Sequence, residues 1–230
     1  MTPTLLLAVH GTRDPRGTAA ARALARRVAH RTGAPVRLGF ADVRGPDVGE
    51  AAAAVDGPIV VVPAFLAAGY HVGVDIPAQL QRAGRADARL TPALGGDARL
   101  VAAAAHRLHQ AGWHPGDAVV LAAAGSSDPN ALDQVADAAD RLSGVLGTRV
   151  TTGYVTTATP SVPDAVARAR RRPRQRVAIA AWLLAPGLFH RRLAEAGADL
   201  VAAPLCPDDG VVAAIAARYH SAAVAAVAPA

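Results

Sequence analysis

The sequence predicts an α/β fold of two tandem lobes, each a four-stranded parallel sheet with helices on both faces. Three observations point there. Short, continuous apolar runs alternate with amphipathic segments, as expected for strands buried on both faces by crossover helices. Segments of the first half reappear in the second at nearly constant spacing. The composition, 52% hydrophobic with only 3% aromatic residues over 230 positions, can fill a large aliphatic core.

The strands are read from the runs themselves. They are "TLLLAVH" (4–10), "VRLGFAD" (36–42), "PIVVVPAFL" (58–66) and "ARLTPAL" (88–94), then "AVVLAAA" (118–124), "RVTTGYV" (149–155), "RVAIAAWLL" (176–184) and "DLVAAPL" (199–205). Helices are expected between them at 18–31, 98–110, 130–143 and 210–222, and a further amphipathic stretch closes "VVPAFLAAGYHVGVDIPAQL" (61–80). The first helix follows the turn "HGTRDPRG", where Asp14 or Thr18 can serve as its cap.

The eight strands fall into two sets of four. "AVHGTRDPRG" (8–17) lies over "AAAGSSDPNA" (122–131) at an offset of 114 residues. "FLAAGYH" (65–71) lies over "LLAPGLF" (183–189) at 118, and "LGGDARLVAAAAHRL" (94–108) over "LCPDDGVVAAIAARY" (205–219) at 111. Three separate matches imply a duplicated unit. The boundary falls near "GWHPGD" (112–117), which gives an N-terminal lobe over 1–113 and a C-terminal lobe over 114–230.

Composition narrows the function. The single cysteine, Cys206, excludes an intramolecular disulfide framework and a cysteine-based zinc cluster, and reads as a small apolar filler in a reducing compartment. "MTPTLLLAVHG" has neither a basic leader nor a long apolar stretch, and "VAIAAWLLAPGLF" (177–189) is too short to span a bilayer, so a cytoplasmic protein with no membrane partner is expected. The formal charge of +6 is spread over helix faces and the run "RARRRPRQR" (168–176). These stretches carry no interleaved aromatics and no groove-reading motif, which argues against nucleic acid and leaves an acidic small molecule open.

The chemistry concentrates at two strand ends. In a flavodoxin-like order, 2-1-3-4, strands one and three are neighbours, and ligands bind beyond their C-terminal ends at the topological switch point. His10 and His71 fall at or just past those ends and would face each other across the crevice. Neutral imidazoles suit a borderline divalent ion such as Fe²⁺, Co²⁺, Ni²⁺ or Zn²⁺ and also accept protons near neutral pH. Two ligands fit transient loading better than storage. Asp42, closing strand two, is a third candidate that would orient an imidazole or relay a proton; its alternative is to cap the helix before "GPDVGEAAAAV". The second half has Ala124 in place of His10, and His190 stands alone there as a surface or cleft-lining residue, so one crevice on the N-terminal lobe, roofed by the other, is expected. His106, His109 and His114 lie on or after a helix, and His30 and His220 in helix ends. No nucleotide-binding glycine motif and no G-x-S-x-G elbow is present.

Taken together, "LLLAVHGTRDPRG" and "VVVPAFLAAGYHVGVDIPAQL" resemble the class II chelatases of the CbiX/SirB type, in their long two-domain form. That family comprises the sirohydrochlorin cobaltochelatases and ferrochelatases of cobalamin and sirohaem (porphyrin-type) biosynthesis. The resemblance implies a lyase that inserts Fe²⁺ or Co²⁺ into a tetrapyrrole held between the lobes, the metal being a substrate and no organic cofactor being required. His10 and His71 match the family's metal-binding and catalytic pair, and Asp42 matches its acidic position with a shorter side chain. Arg13 and Arg44 would favour the carboxylate-fringed pigment or be surface charges, while Tyr70, Gly11 and Thr12 would line the site. Two rival readings share the residues: a non-catalytic carrier of metal or tetrapyrrole on the same scaffold, and a metal-free enzyme using His10 and His71 as acid and base.

Overall fold

The computed structural model describes residues 2–170 and 175–227. Arg171 to Arg174, the middle of the basic run, lie outside the described residues. The first half runs β1 (Thr4–Val9), α1 (Pro15–Thr32), β2 (Val36–Phe40), α2 (Val48–Ala53), β3 (Ile59–Pro63), a π-helical turn (His71–Asp75), α3 (Ile76–Arg82), β4 (Arg89–Leu90) and α4 (Ala98–Gln110). The second half repeats the plan as β5 (Ala118–Ala123), α5 (Pro129–Leu146), β6 (Val150–Tyr154), α6 (Val162–Ala169), β7 (Val177–Trp182), α7 (Leu188–Ala194), β8 (Leu200–Val201) and α8 (Asp209–Val227).

Each half forms its own four-stranded parallel sheet, ordered β2-β1-β3-β4 and β6-β5-β7-β8. Leu7 sits between Leu38 and Val62 in the first sheet, and Leu121 between Thr152 and Ala180 in the second. The central strands are buried on both faces, which is why they read as unbroken apolar runs. The fourth strands are only two residues long where the sequence suggested 88–94 and 199–205. Pro92 and Pro204 explain this: each lacks the N–H that a continuing ladder would need.

Helix ends follow side-chain chemistry. Asp14, not Thr18, caps α1 by accepting from the Arg16 N–H, and Gly33 closes that helix in the left-handed region. Asp47 caps α2, where Asp47 and Glu50 form a reciprocal capping box; the cap reading of Asp42 is therefore incorrect. The sequence signals α2 only through its cap and shows no α6 or α7, because six to eight residues provide too few turns for a clear period. His220 lies within α8, which extends to Val227, and not at a helix end.

The duplication is also written in the backbone. Gly11 (φ 96°), Gly33 (φ 67°) and Val43 (φ 70°) have counterparts 114 residues later in Gly125 (φ 98°), Gly147 (φ 63°) and Thr157 (φ 64°). Two small apolar clusters fill the outer faces, one under α2 and α3, the other under α6 and α7. The largest core spans both halves. The last helix of each half crosses over: α4 packs against α5 and β7, while α8 packs against α1, α4 and β3. Tyr219 of α8 donates its hydroxyl hydrogen to the Pro3 carbonyl at 2.7 Å, tying the end of the second half to the beginning of the first.

Cys206 lies at the edge of the shared core, and burial pushes its thiol up to about 12. A thiol so protonated is a poor nucleophile. Labelling by iodoacetamide near neutral pH is expected to be slow in the native protein and rapid in denaturant; equal rates in both would contradict the partly buried setting.

Candidate active site

His10 is the first residue after β1, and the chain must turn there beneath the end of β2. Gly11 makes that possible. Its φ of 96° suits glycine, and a Cβ at this position would lie 2.1 Å from the Asp42 carbonyl oxygen. The Asp42 N–H donates to the His10 carbonyl at 2.9 Å, so the ends of β1 and β2 are stitched together at the site. His71 opens the π-helical turn that follows β3, and π turns of this kind concentrate at functional sites.

The fold brings the two imidazoles together, with ring centroids 4.7 Å apart and the planes at 78°. Phe65 flanks both, at 6.2 Å from His10 and 6.0 Å from His71. Each ring is held through its Nδ1. That of His10 is 3.2 Å from the Gly11 carbonyl oxygen, and that of His71 is 3.1 Å from Asp75 Oδ2. Carbonyls and carboxylates only accept, so the proton is assigned to Nδ1 in both neutral rings, leaving Nε2 as the electron-pair donor.

His10 titrates below the ordinary imidazole value of 6.5, chiefly through desolvation and next through the neighbouring His71. The Gly11 carbonyl and the Asp42 carboxylate act in the opposite direction without reversing it. His10 thus keeps its lone pair further into acid than a free imidazole. An NMR titration is expected to give it a midpoint below 6.5, moving upward in His71→Ala because a neighbouring positive charge is removed. A midpoint unchanged by that substitution would contradict the coupling.

The remaining candidates divide by position. The Asp42 carboxylate accepts from the Val43 N–H at 2.6 Å and remains exposed at the crevice edge. Arg44 donates from Nε to the Thr12 carbonyl at 2.6 Å and from Nη2 to the Arg13 carbonyl at 3.4 Å, bracing the loop that carries His10. Arg13 is exposed. Tyr70 stands at the rim, 68% exposed, with its ring 6.0 Å from that of His71. Val43 and Val74, also on this lobe, and Leu188 on the other are among the exposed large apolar residues.

The second lobe abuts this site. Gly17 is buried where a Cβ would meet Thr12 Cγ2 at 2.2 Å and the Pro186 carbonyl at 2.5 Å, so only glycine permits this approach of the two lobes. Arg191 reaches across to Asp14 at 2.9 Å, and the Ala68 N–H donates to Gln134 Oε1 at 3.0 Å. Arg16, the larger influence, and Arg191 hold the Asp14 carboxyl down at about 2. The duplicate crevice lacks these side chains: Ala124, Thr156 and Phe189 occupy the places of His10, Asp42 and His71. His190 lines no second metal site; its Nε2 donates to the Ala202 carbonyl of its own lobe at 3.2 Å.

Asp75 escaped the sequence reading although it contacts His71. The available signal was the four-residue spacing in "HVGVD", which puts the two side chains on one side of a helical turn. Among the described residues no cluster of three or more His, Cys, Asp or Glu side chains is arranged to hold a metal ion.

Comparison with known proteins agrees with this architecture. No curated protein matches the sequence significantly. Among solved structures, SirB from Bacillus subtilis with Fe³⁺ superimposes with a TM-score of 0.83 at 21% identity, covering 97% of this chain and 96% of that one. The sirohydrochlorin chelatase SirB from Bacillus subtilis subspecies spizizenii in complex with cobalt gives 0.79 at 19% identity, with 97% and 96% covered. These two likenesses establish the fold. CbiX, the terminal enzyme for siroheme biosynthesis in denitrifying bacteria, gives 0.72 at 26% identity, with 99% and 100% covered. The CbiX family model matches residues 4–111 and again 118–222, one copy for each sheet, and the chain therefore belongs to the CbiX family.

Proposed function

We propose that this protein is a sirohydrochlorin chelatase that inserts Fe²⁺ or Co²⁺ into the free-base tetrapyrrole, serving sirohaem or cobalamin synthesis. The observation that carries the reading is the pair of imidazoles, 4.7 Å apart at the switch point of a CbiX-family chain. Both the Fe³⁺-bound and cobalt-bound relatives have the same fold, and imidazole nitrogen accepts either metal.

Insertion exchanges two pyrrolic protons for one M²⁺, and the ion must shed water on the way. His10 and His71 offer two nitrogen ligands that replace water, then release the ion because two ligands hold it only loosely. The lowered proton affinity of His10 keeps it available to metal in mildly acidic solution. Once the ion has moved on, the freed imidazoles and the carboxylate of Asp42 accept the departing protons. The exposed apolar residues Val43, Tyr70 and Val74, with Leu188 from the facing lobe, offer a surface for the flat macrocycle. Arg13 offers a cation for its carboxylates, while Arg44, with Thr12 and Gly11, shapes the loop beneath. No helix among the described residues is long and apolar enough to cross a membrane. With Cys206 unpaired, we place the protein in the cytoplasm.

The test is the absorbance change on anaerobic mixing of protein, sirohydrochlorin and either metal. Insertion faster than the spontaneous reaction is expected with at least one of them. Pigment binding with no acceleration by either metal would replace the enzyme by a carrier.

A further inference from the structure

We infer that Asp75 is a positioning residue for metal transfer, fixing His71 in the tautomer that presents Nε2 to the ion and locking this ring to the loop that carries His10. The inference rests on the chelatase reading above for its kinetic consequence. Its structural core stands on the hydrogen bonds alone.

The network has one consistent assignment. Gln79 is 5% exposed, and its side chain uses every group it has. The Val48 N–H donates to Gln79 Oε1 at 2.9 Å, which fixes the amide orientation. Gln79 Nε2 then donates one hydrogen to the Ala41 carbonyl at 3.0 Å and the other to Asp75 Oδ1 at 3.2 Å. With Oδ1 so engaged, Oδ2 is left to accept from His71 Nδ1 at 3.1 Å. A buried amide thus orients a carboxylate, and the carboxylate orients an imidazole.

The same amide reaches the other histidine. Ala41, whose carbonyl Gln79 holds, bonds through its N–H to Val9 and is followed by Asp42, whose N–H binds the His10 carbonyl. Gly49 lets this arrangement close: a Cβ there would lie 2.6 Å from the Gln79 carbonyl, so α2 packs directly on the helix that bears the amide. His71, Asp75, Gln79, Ala41 and the His10 loop are therefore one hydrogen-bonded frame. The π-helical turn serves it by placing His71 and Asp75 on the same side.

Asp75→Asn tests the assignment with little change of shape. Because Gln79 must donate, the new amide can only turn its oxygen toward Gln79 and its NH₂ toward His71, which drives the imidazole proton to Nε2 and blocks the metal-facing lone pair. Ring-nitrogen NMR on the metal-free, pigment-free protein at about pH 8, where imidazole is neutral, is expected to show Nδ1–H at His71 in the native chain and Nε2–H in the variant. Co²⁺ affinity without pigment, and insertion rate with it, are expected to fall roughly 10- to 100-fold, with partial recovery in Asp75→Glu. Native His71 found as Nε2–H, or a variant with native tautomer and affinity, would overturn the inference. The native spectrum decides the tautomer even if the variant does not fold. A native protein that fails to insert metal in any assay would remove the chelatase reading while leaving the tautomer result intact.

Discussion

Replacing His71 by alanine is expected to slow metal insertion by roughly 10²- to 10³-fold, about 3–4 kcal/mol of transition-state stabilisation, while leaving the thermal transition close to that of the native protein. His71 is only partly buried and opens a turn without filling the core, so its loss creates no large cavity. On the proposed function, what disappears is one of two metal ligands together with a proton acceptor, and His10 is left to hold the ion alone. His10→Ala is expected to be as damaging, and the double variant little worse than either single one, because a two-ligand relay is broken by removing one end. Multiplicative losses would show instead that each histidine acts independently. A rate within threefold of native in both single variants would remove the relay altogether. Insertion rates with Co²⁺ and Fe²⁺, measured beside far-UV circular dichroism of each variant, separate these outcomes.

Chain topology is what makes the histidine pair legible. An apolar strand ending in histidine is ambiguous by itself, but the order 2-1-3-4 makes strands one and three neighbours, and their ends must meet. The structure places the rings 4.7 Å apart, as that logic requires. Asp75 was harder to see, because "DIP" has the form of a helix entrance, with an acidic residue ahead of a proline, and conceals the pairing back to His71. Arg44 shows the opposite problem. Its sequence position offers a substrate cation or a surface charge, and the structure adds that its guanidinium holds two backbone carbonyls of the His10 loop, a contact that no linear pattern encodes.

The least legible feature was which sheet each terminal helix covers. The apolar faces of α4 and α8 announce that each buries one side, and the 111-residue match between them announces common origin. Neither says that the two helices are exchanged between the halves. Periodicity reports that a face is buried, not the partner that buries it. A division of the chain at residue 113 therefore separates sequence repeats, while packing ties each repeat to the last helix of the other.

Removal of α8 is accordingly expected to unfold the half it does not belong to. Val211, Val212, Ile215 and Tyr219 are all at most 3% exposed, and α8 lies on α1, α4 and β3. At ~1.5–3 kcal/mol for each large side chain buried, these four residues alone represent on the order of 6–12 kcal/mol, comparable with the ~5–15 kcal/mol by which a whole domain is stable. Deletion of 209–230 is expected to abolish cooperative urea unfolding, and the segment 1–113 made alone is expected to stay unfolded until 114–230 is added. Tyr219→Phe gives the graded version: it breaks one hydrogen bond to Pro3 and is expected to cost roughly 1 kcal/mol without changing the fold. A deleted chain that still unfolds in one sharp transition at the native midpoint would mean that the first sheet needs no cover from the second half. The two histidines would then stand on a self-sufficient lobe, and the second would serve only to close the cleft.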